Sequence, residues 1–318
     1  MNRFSFFNVV GNRYIYFALS GLIIIPGLVA MIYSMITFGS PVRLSIDFTG
    51  GSFMELRFDE PVQVNDVRDI FEEQGFSDVY VQTAADAKTV IVRTKHLDNL
   101  AKTDVQDALR EKIGPFDEMR FESVGPTIGR EVTRSALLAM SAAALAILLF
   151  IVFSFRRVPN SFRYGICAIV AMIHDLLVLV GIFSILGVLF GWEADSLFLT
   201  AVLTVSGFSV QDTSVVFDRI RENIPKRRGE SFETIANRSL LETLHRSLAT
   251  QLNAMFILLA IVLFGGDTIR HFAFVLLYGM LSGTYSSIFV AVPLLVVWEN
   301  NDLGRLFGRG KRQAHAAA

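Results

Sequence analysis

The chain has 318 residues, of which 52% are apolar and only 19% charged, and its mean hydropathy is +0.48. A soluble chain averages about 25% charged residues, so the composition points to a membrane protein. The formal net charge of −1 gives no electrostatic footprint for nucleic acid, and the single cysteine, Cys167, excludes both a disulfide framework and a cysteine metal site within the chain.

The first residues, Met1–Arg13, are short and polar and lead into an apolar run with no small-residue cleavage site after it, so the run is expected to be a retained helix. A membrane span needs about 20 mostly apolar residues. Six segments qualify: Tyr14–Phe38, Val132–Phe155, Phe162–Phe190, Ser196–Phe217, Arg246–Gly265 and His271–Val297. Lys and Arg fix their direction. One set of flanks holds Arg3, Arg13, Arg156, Arg157, Arg163, Arg219, Arg221, Lys226, Arg227, Arg228, Arg238, Arg305, Arg309, Lys311 and Arg312. The opposite short loops, Gly191–Asp195 and Gly266–Arg270, hold only Arg270. Both termini are therefore expected in the cytoplasm, with the long segment after the first span outside. The expected division is a first span within 1–38, an outside domain at 39–128, a five-helix bundle at 129–299 and a cytoplasmic tail at 300–318.

The outside domain has its own patterning. Met54, Leu56 and Phe58 alternate as one face of a strand, and Asn65–Gln74 sets Val67, Ile70 and Phe71 on one side of a helix that Gly75 stops. Val79–Thr83 and Thr89–Thr94 read as strands. Thr103 with Gln106 predicts a capping box ahead of Val105 and Leu109, Gly114-Pro115 ends that helix, and Phe116–Val124 is a last strand. Strand, helix, strand, strand, helix, strand is the ferredoxin-like order. No carboxylate pair, histidine cluster or phosphate loop appears in it, and a binding or docking module is the plain reading.

Polar groups inside spans carry the functional signal, because an ionisable side chain there costs about 2.5–3.5 kcal/mol on insertion scales. Asp212 lies in the fourth span, with Ser209 one turn away and Gly207 allowing close approach. Gln211 and Thr213 flank it. Arg246 opens the fifth span, and Thr250 and Asn253 follow at helical spacing. Asp212 is about 9 Å inside the membrane edge at Asp218, a depth that an arginine on an antiparallel neighbour could reach. The alternative is a buried pair that only fixes helix register. His174 and Asp175 sit near the middle of the third span, adjacent and pointing in different directions, so at least one is expected to serve packing. Gly207-Phe208-Ser209 with His174 as base would be an intramembrane protease arrangement, but small residues in a membrane helix are common at packing interfaces. No nucleotide-binding glycine motif is present, so ATP is not the energy source within this chain.

The residues now in view resemble the SecF family, the smaller partner of SecD within the resistance–nodulation–division superfamily. The signatures are Ile46-Asp47-Phe48-Thr49-Gly50-Gly51 after the first span, Val124-Gly125-Pro126 through Gly129 and Glu131 before the second, Val210–Asn223 at the end of the fourth, and Leu244-His245-Arg246 with Phe264-Gly265-Gly266 in the fifth. Ser45 stands where the family usually has Gly, and Gln211 where Asn is usual. Residues 313–318 look unlike the family. The resemblance implies a non-enzymatic accessory of the Sec channel in the bacterial cytoplasmic (inner) membrane, driven by protons with no cofactor or metal. By position, Asp212 matches the proton-carrying aspartate and Arg246 its basic partner, with a further aspartate expected from SecD. The implied partners are SecD, the SecYEG channel, a YajC-type small subunit, the emerging preprotein and lipid. Two rivals stay open: a purely structural assembly subunit, and a proton-coupled exporter of lipids or small molecules on the same superfamily fold.

Overall fold

The computed structural model describes residues 8–76, 79–83, 86–155, 161–227 and 229–300. Arg3, Arg156, Arg157, Arg228, Arg305, Arg309, Lys311 and Arg312, with the tail 313–318, lie outside the described residues. The chain forms two units: one from 1–43, 140–192 and 197–318, the other from 44–139 and 193–196.

The first unit is helical. A short 3-10 turn, Val10–Asn12, leads into α1 (Arg13–Phe38), which ends at Gly39 with φ 77°, a left-handed C-cap that Gly adopts without a Cβ penalty. Val9 and Val10 donate their backbone N–H groups to Asn237 Oδ1 at 3.0 and 3.4 Å. Midway along α1, Gly27 lies against Gly181 of a later helix, so close that a Cβ on either would stand only 2.8 Å from the opposite backbone. Only glycine at both positions allows this approach.

The second unit opens with α2 (Ile46–Thr49), a single turn that the sequence pattern does not announce. Ser45 caps it by accepting from Asp47 N at 3.2 Å. Then follow β1 (Gly51–Phe58), α3 (Val64–Glu73), β2 (Tyr80–Thr83), β3 (Thr89–Thr94), α4 (Asn99–Lys112) and β4 (Phe116–Val124). All pairings are antiparallel, in the order β2-β3-β1-β4. Met54, Leu56 and Phe58 of β1 are buried with Val67, Ile70 and Phe71 of α3 and with Val105 and Leu109 of α4. Alternation in the strand and 3.6-residue spacing in the helices thus converge on one core. Gly75, at φ 89°, closes α3: Phe76 N bonds Phe71 O at 3.0 Å, and the two rings meet at 6.5 Å.

The capping box expected at Thr103 and Gln106 is not formed. α4 begins five residues earlier, where Asp98 accepts from Ala101 N at 2.8 Å. Asp competes well as an N-cap, and Thr103 is left inside the helix, donating back to Asn99 O. Gln106 bonds Glu118 instead.

Two of the glycine-containing motifs read from the sequence meet in this unit. Gly50 (φ 71°) and Gly51 (φ 118°) take conformations that L side chains rarely adopt. A Cβ on Gly129 would fall 2.8 Å from Gly50 N, and one on Gly51 would fall 2.7 Å from Thr94 O. Thr133 Oγ1 donates to Phe48 O at 3.0 Å. Segment 193–196 belongs here too: Ser45 N bonds Ala194 O at 2.9 Å, and Asp47 Oδ2 accepts from Ser196 N at 3.1 Å and Ser196 Oγ at 2.9 Å.

The remaining helices are α5 (Pro126–Phe155), α6 (Ser161–Phe190), α7 (Ser196–Lys226), α8 (Phe232–Phe264), α9 (Asp267–Ser286) and α10 (Val292–Glu299). A π-turn, Ser287–Ala291, joins the last two. Pro293 cannot donate to the carbonyl four residues back, which accounts for the widened backbone ahead of it. Among the described residues, five helical segments are long and apolar enough to cross a membrane: Val10–Phe38, Pro126–Ser154, Ser161–Phe190, Phe232–Phe264 and Ile269–Glu299. α7, at 31 residues, matches them in length but is diluted by Ser, Thr, Gln211 and Asp212. α8 also starts well before the expected Arg246, at Phe232, with Ser231 accepting from Thr234 N as its cap. The bundle core joins Tyr164 and Cys167 of α6, Phe217 and Ile220 of α7, Leu240 of α8, and Leu295 of α10.

Candidate functional site

Among the described residues, the polar interior of the bundle has two acidic centres. The larger is Asp175 on α6, which is 1% exposed. Its Oδ1 accepts from Ser282 Oγ at 2.8 Å and lies 3.2 Å from His174 Nδ1. Its Oδ2 accepts from Ser209 Oγ at 2.5 Å and Ser286 Oγ at 2.6 Å. Three serine hydroxyls and the imidazole thus surround its two oxygens. The chain of contacts continues from His174 Nε2 to Ser20 Oγ at 3.0 Å, from Ser20 to Tyr285 Oη at 3.4 Å, and from Tyr285 Oη to Tyr16 O at 2.9 Å. One cluster therefore ties α1, α6, α7 and α9 together.

Close approach makes this possible. Gly283 lies between Ser282 and Ser286, and a Cβ there would stand 3.5 Å from Ser209 Cβ. Ser282 and Ser286 are four residues apart, so both face α6 from one side of α9.

The smaller centre is Asp212 on α7. Its Oδ2 accepts from Gln251 Nε2 on α8. Gln251 is 4% exposed, and its Oε1 is buried without a partner, as is Thr213 Oγ1 beside Asp212.

The candidates from the sequence sort out unevenly. His174 and Asp175 do not diverge into separate roles, because the Asp175 carboxylate reaches back to the neighbouring ring. Ser209 bonds Asp175, although it is one turn from Asp212. His174 and Ser209 each bond Asp175 and not one another, which removes the nucleophile–base pair of the protease arrangement. Arg246 is not at Asp212. It is exposed, on one face with exposed Thr250 and Asn253, and Thr250 Oγ1 bonds Arg246 O at 3.0 Å. Gln251 is five residues on from Arg246, about 140° around the helix, and it is Gln251 that faces α7. Gln211 is exposed and Thr213 buried. The sequence reading missed Gln251, Ser282, Ser286, Ser20 and Tyr285. A lone Gln in an apolar span was the readable signal for the first. Hydroxyl residues are too common in membrane helices to have marked the others.

The SecD/SecF protein export membrane protein family, C-terminal part, matches residues 104–301, and the SecD/SecF GG motif matches residues 36–62. The protein translocase subunit SecF of Thermobaculum terrenum is 48% identical over 97% of this chain and 99% of its own. That of Anaerolinea thermophila is also 48% identical, over 97% and 99%. The crystal structure of SecDF from Thermus thermophilus, a translocon-associated membrane protein, matches with a TM-score of 0.76 and 31% identity over 94% of this chain. SecDF in a super-membrane-facing form matches with 0.63 and 30% over 96%. The chain spans 40% of each SecDF chain.

Apolar helices, a small antiparallel sheet and a buried polar interior define the class: a helical membrane protein of the Sec protein-export pathway, an accessory subunit and not an enzyme. Within that class, the chain belongs to the SecF family of protein translocase subunits.

Proposed function

We propose that this chain works with SecD to draw on the proton gradient and promote late steps of preprotein export through the SecYEG channel. In this reading α7 is a sixth span, and both termini are cytoplasmic. The sheet unit is a ferredoxin-like domain outside the bacterial cytoplasmic membrane, and a YajC-type subunit joins the assembly. Protons are the coupling ion, and no cofactor is needed. Asp212 takes up and releases H⁺.

The observation that carries this is the contrast between the two acids. Asp175 is enclosed by three serine hydroxyls and the imidazole, which suits a structural anchor. Asp212 is half-buried with one amide donor, and its second oxygen is available to a proton. A carrier needs desolvation and attraction in near balance, so that a small movement changes which form is favoured. Arg246 enters the relay from the exposed side of α8, where SecD would bring its own aspartate. One charge crossing 100 mV releases about 2.3 kcal/mol, and each pH unit adds about 1.4. That is enough to shift a two-state equilibrium severalfold or more.

The test is Asp212→Asn in membranes containing SecD. The gradient-dependent part of export should fall at least tenfold while the yield of complex is unchanged. Undiminished gradient-dependent export would discard the relay. A structural assembly subunit is the second reading, favoured for Asp175 by its enclosure. It predicts that Asp212→Asn and Arg246→Met lower complex yield and spare export per complex.

A further inference from the structure

We propose that Gln251 is a two-way hydrogen-bond partner of Asp212, a positioning residue on α8 whose grip on α7 depends on whether the carboxyl carries a proton. This rests on the reading of Asp212 as the proton carrier.

The geometry has three parts. The Gln251 side chain is buried, so its amide has no access to bulk water. Its Nε2 donates to Asp212 Oδ2 across the α7–α8 contact. Its Oε1, on the same amide, is buried with no donor. A carboxylate can only accept, so the ionised form takes the N–H and leaves that carbonyl oxygen empty. A protonated Asp212 gains an O–H donor. The terminal amide torsion of Gln is broad and roughly two-fold, so a half-turn offers Oε1 to that O–H. Among the residues described, no Lys, Arg or His ion-pairs with Asp212 to compete. Asp175 on α6 acts on it electrostatically, and Arg246 of α8 lies on the exposed face.

The two bonds differ in strength. The one to the carboxylate is charge-assisted, and the one from the neutral acid is not. Gln251 therefore holds α8 to α7 more firmly when Asp212 is ionised, and slackens when a proton arrives. No helix needs to leave the bundle for this change; one amide turns over.

The experiment uses the full chain with its SecD partner, reconstituted in vesicles and followed by infrared difference spectroscopy. Gln251→Met keeps the length and volume of the side chain and removes both donor and acceptor. The titration midpoint of Asp212 should move up by about one pH unit, since the ionised form loses the stronger bond. The pH for half-maximal gradient-driven export should move with it. A merely structural glutamine would leave the midpoint in place, and that result overturns the proposal. An independent readout avoids the variant: the side-chain amide carbonyl band of Gln251 in the wild-type chain should shift with pH, and stay still in Asp212→Asn. A band indifferent to pH while Asp212 titrates also overturns it. A wild-type Asp212 that never titrates defeats the carrier reading itself, which keeps the two failures apart.

Discussion

A carboxylate inside a helical bundle is tolerated only when enough donors replace the water it has lost. Asp175 meets that condition with three serine hydroxyls and an imidazole drawn from its own helix and two others. Asp175→Asn would place an NH₂ among hydroxyls already oriented to donate, leaving some of them buried and unpaired. We expect about 3 kcal/mol of lost stability, read as a lower unfolding temperature of the full chain in detergent. Retention of wild-type stability would show that the cluster does not hold the helices. At this scale the sequence was informative about which acids matter and poor about their partners. Insertion cost singles out Asp212 and Asp175 before any coordinates. Partner choice is settled by helix rotation and side-chain reach, which is how Gln251 takes the place that Arg246 was expected to hold.

Among the elements, α1 and α6 are joined by the least forgiving contact. Gly27 and Gly181 bring the two backbones so close that any Cβ meets main chain, not a flexible side chain. Gly181→Ala should therefore push the helices apart at a cost of roughly 1–3 kcal/mol. Disulfide trapping of cysteines placed across that interface should slow several-fold. An unaltered trapping rate would mean that the helices are not in register there.

Element boundaries show where patterning has its limits. The strands and α3 of the sheet unit follow from alternation and helical spacing. The start of α4 does not, because Asp98 and Thr103 are both good caps and tertiary packing chose the earlier one. The turn α2 and the approach of Gly129 to Gly50 were unreadable for another reason: they depend on two distant stretches meeting.

For the molecule as a whole, the order of elements was legible because apolar runs and turn residues alternate clearly along the chain. α7 is the instructive exception. Gln211, Asp212 and the hydroxyls around them lower its apolar character below that of the five helices long and apolar enough to cross a membrane. The same helix starts at Ser196, held by Asp47, and carries Asp212 about 24 Å further along. The central claim is that proton uptake by Asp212 changes how α7 meets α8. Its most direct test is a distance measured between spin labels on Arg221→Cys and His245→Cys, with Cys167→Ser removing the native thiol, in vesicles containing SecD. The account predicts two distance populations whose ratio follows pH and which Asp212→Asn locks into one. A single distribution, the same at every pH and in both chains, would contradict it.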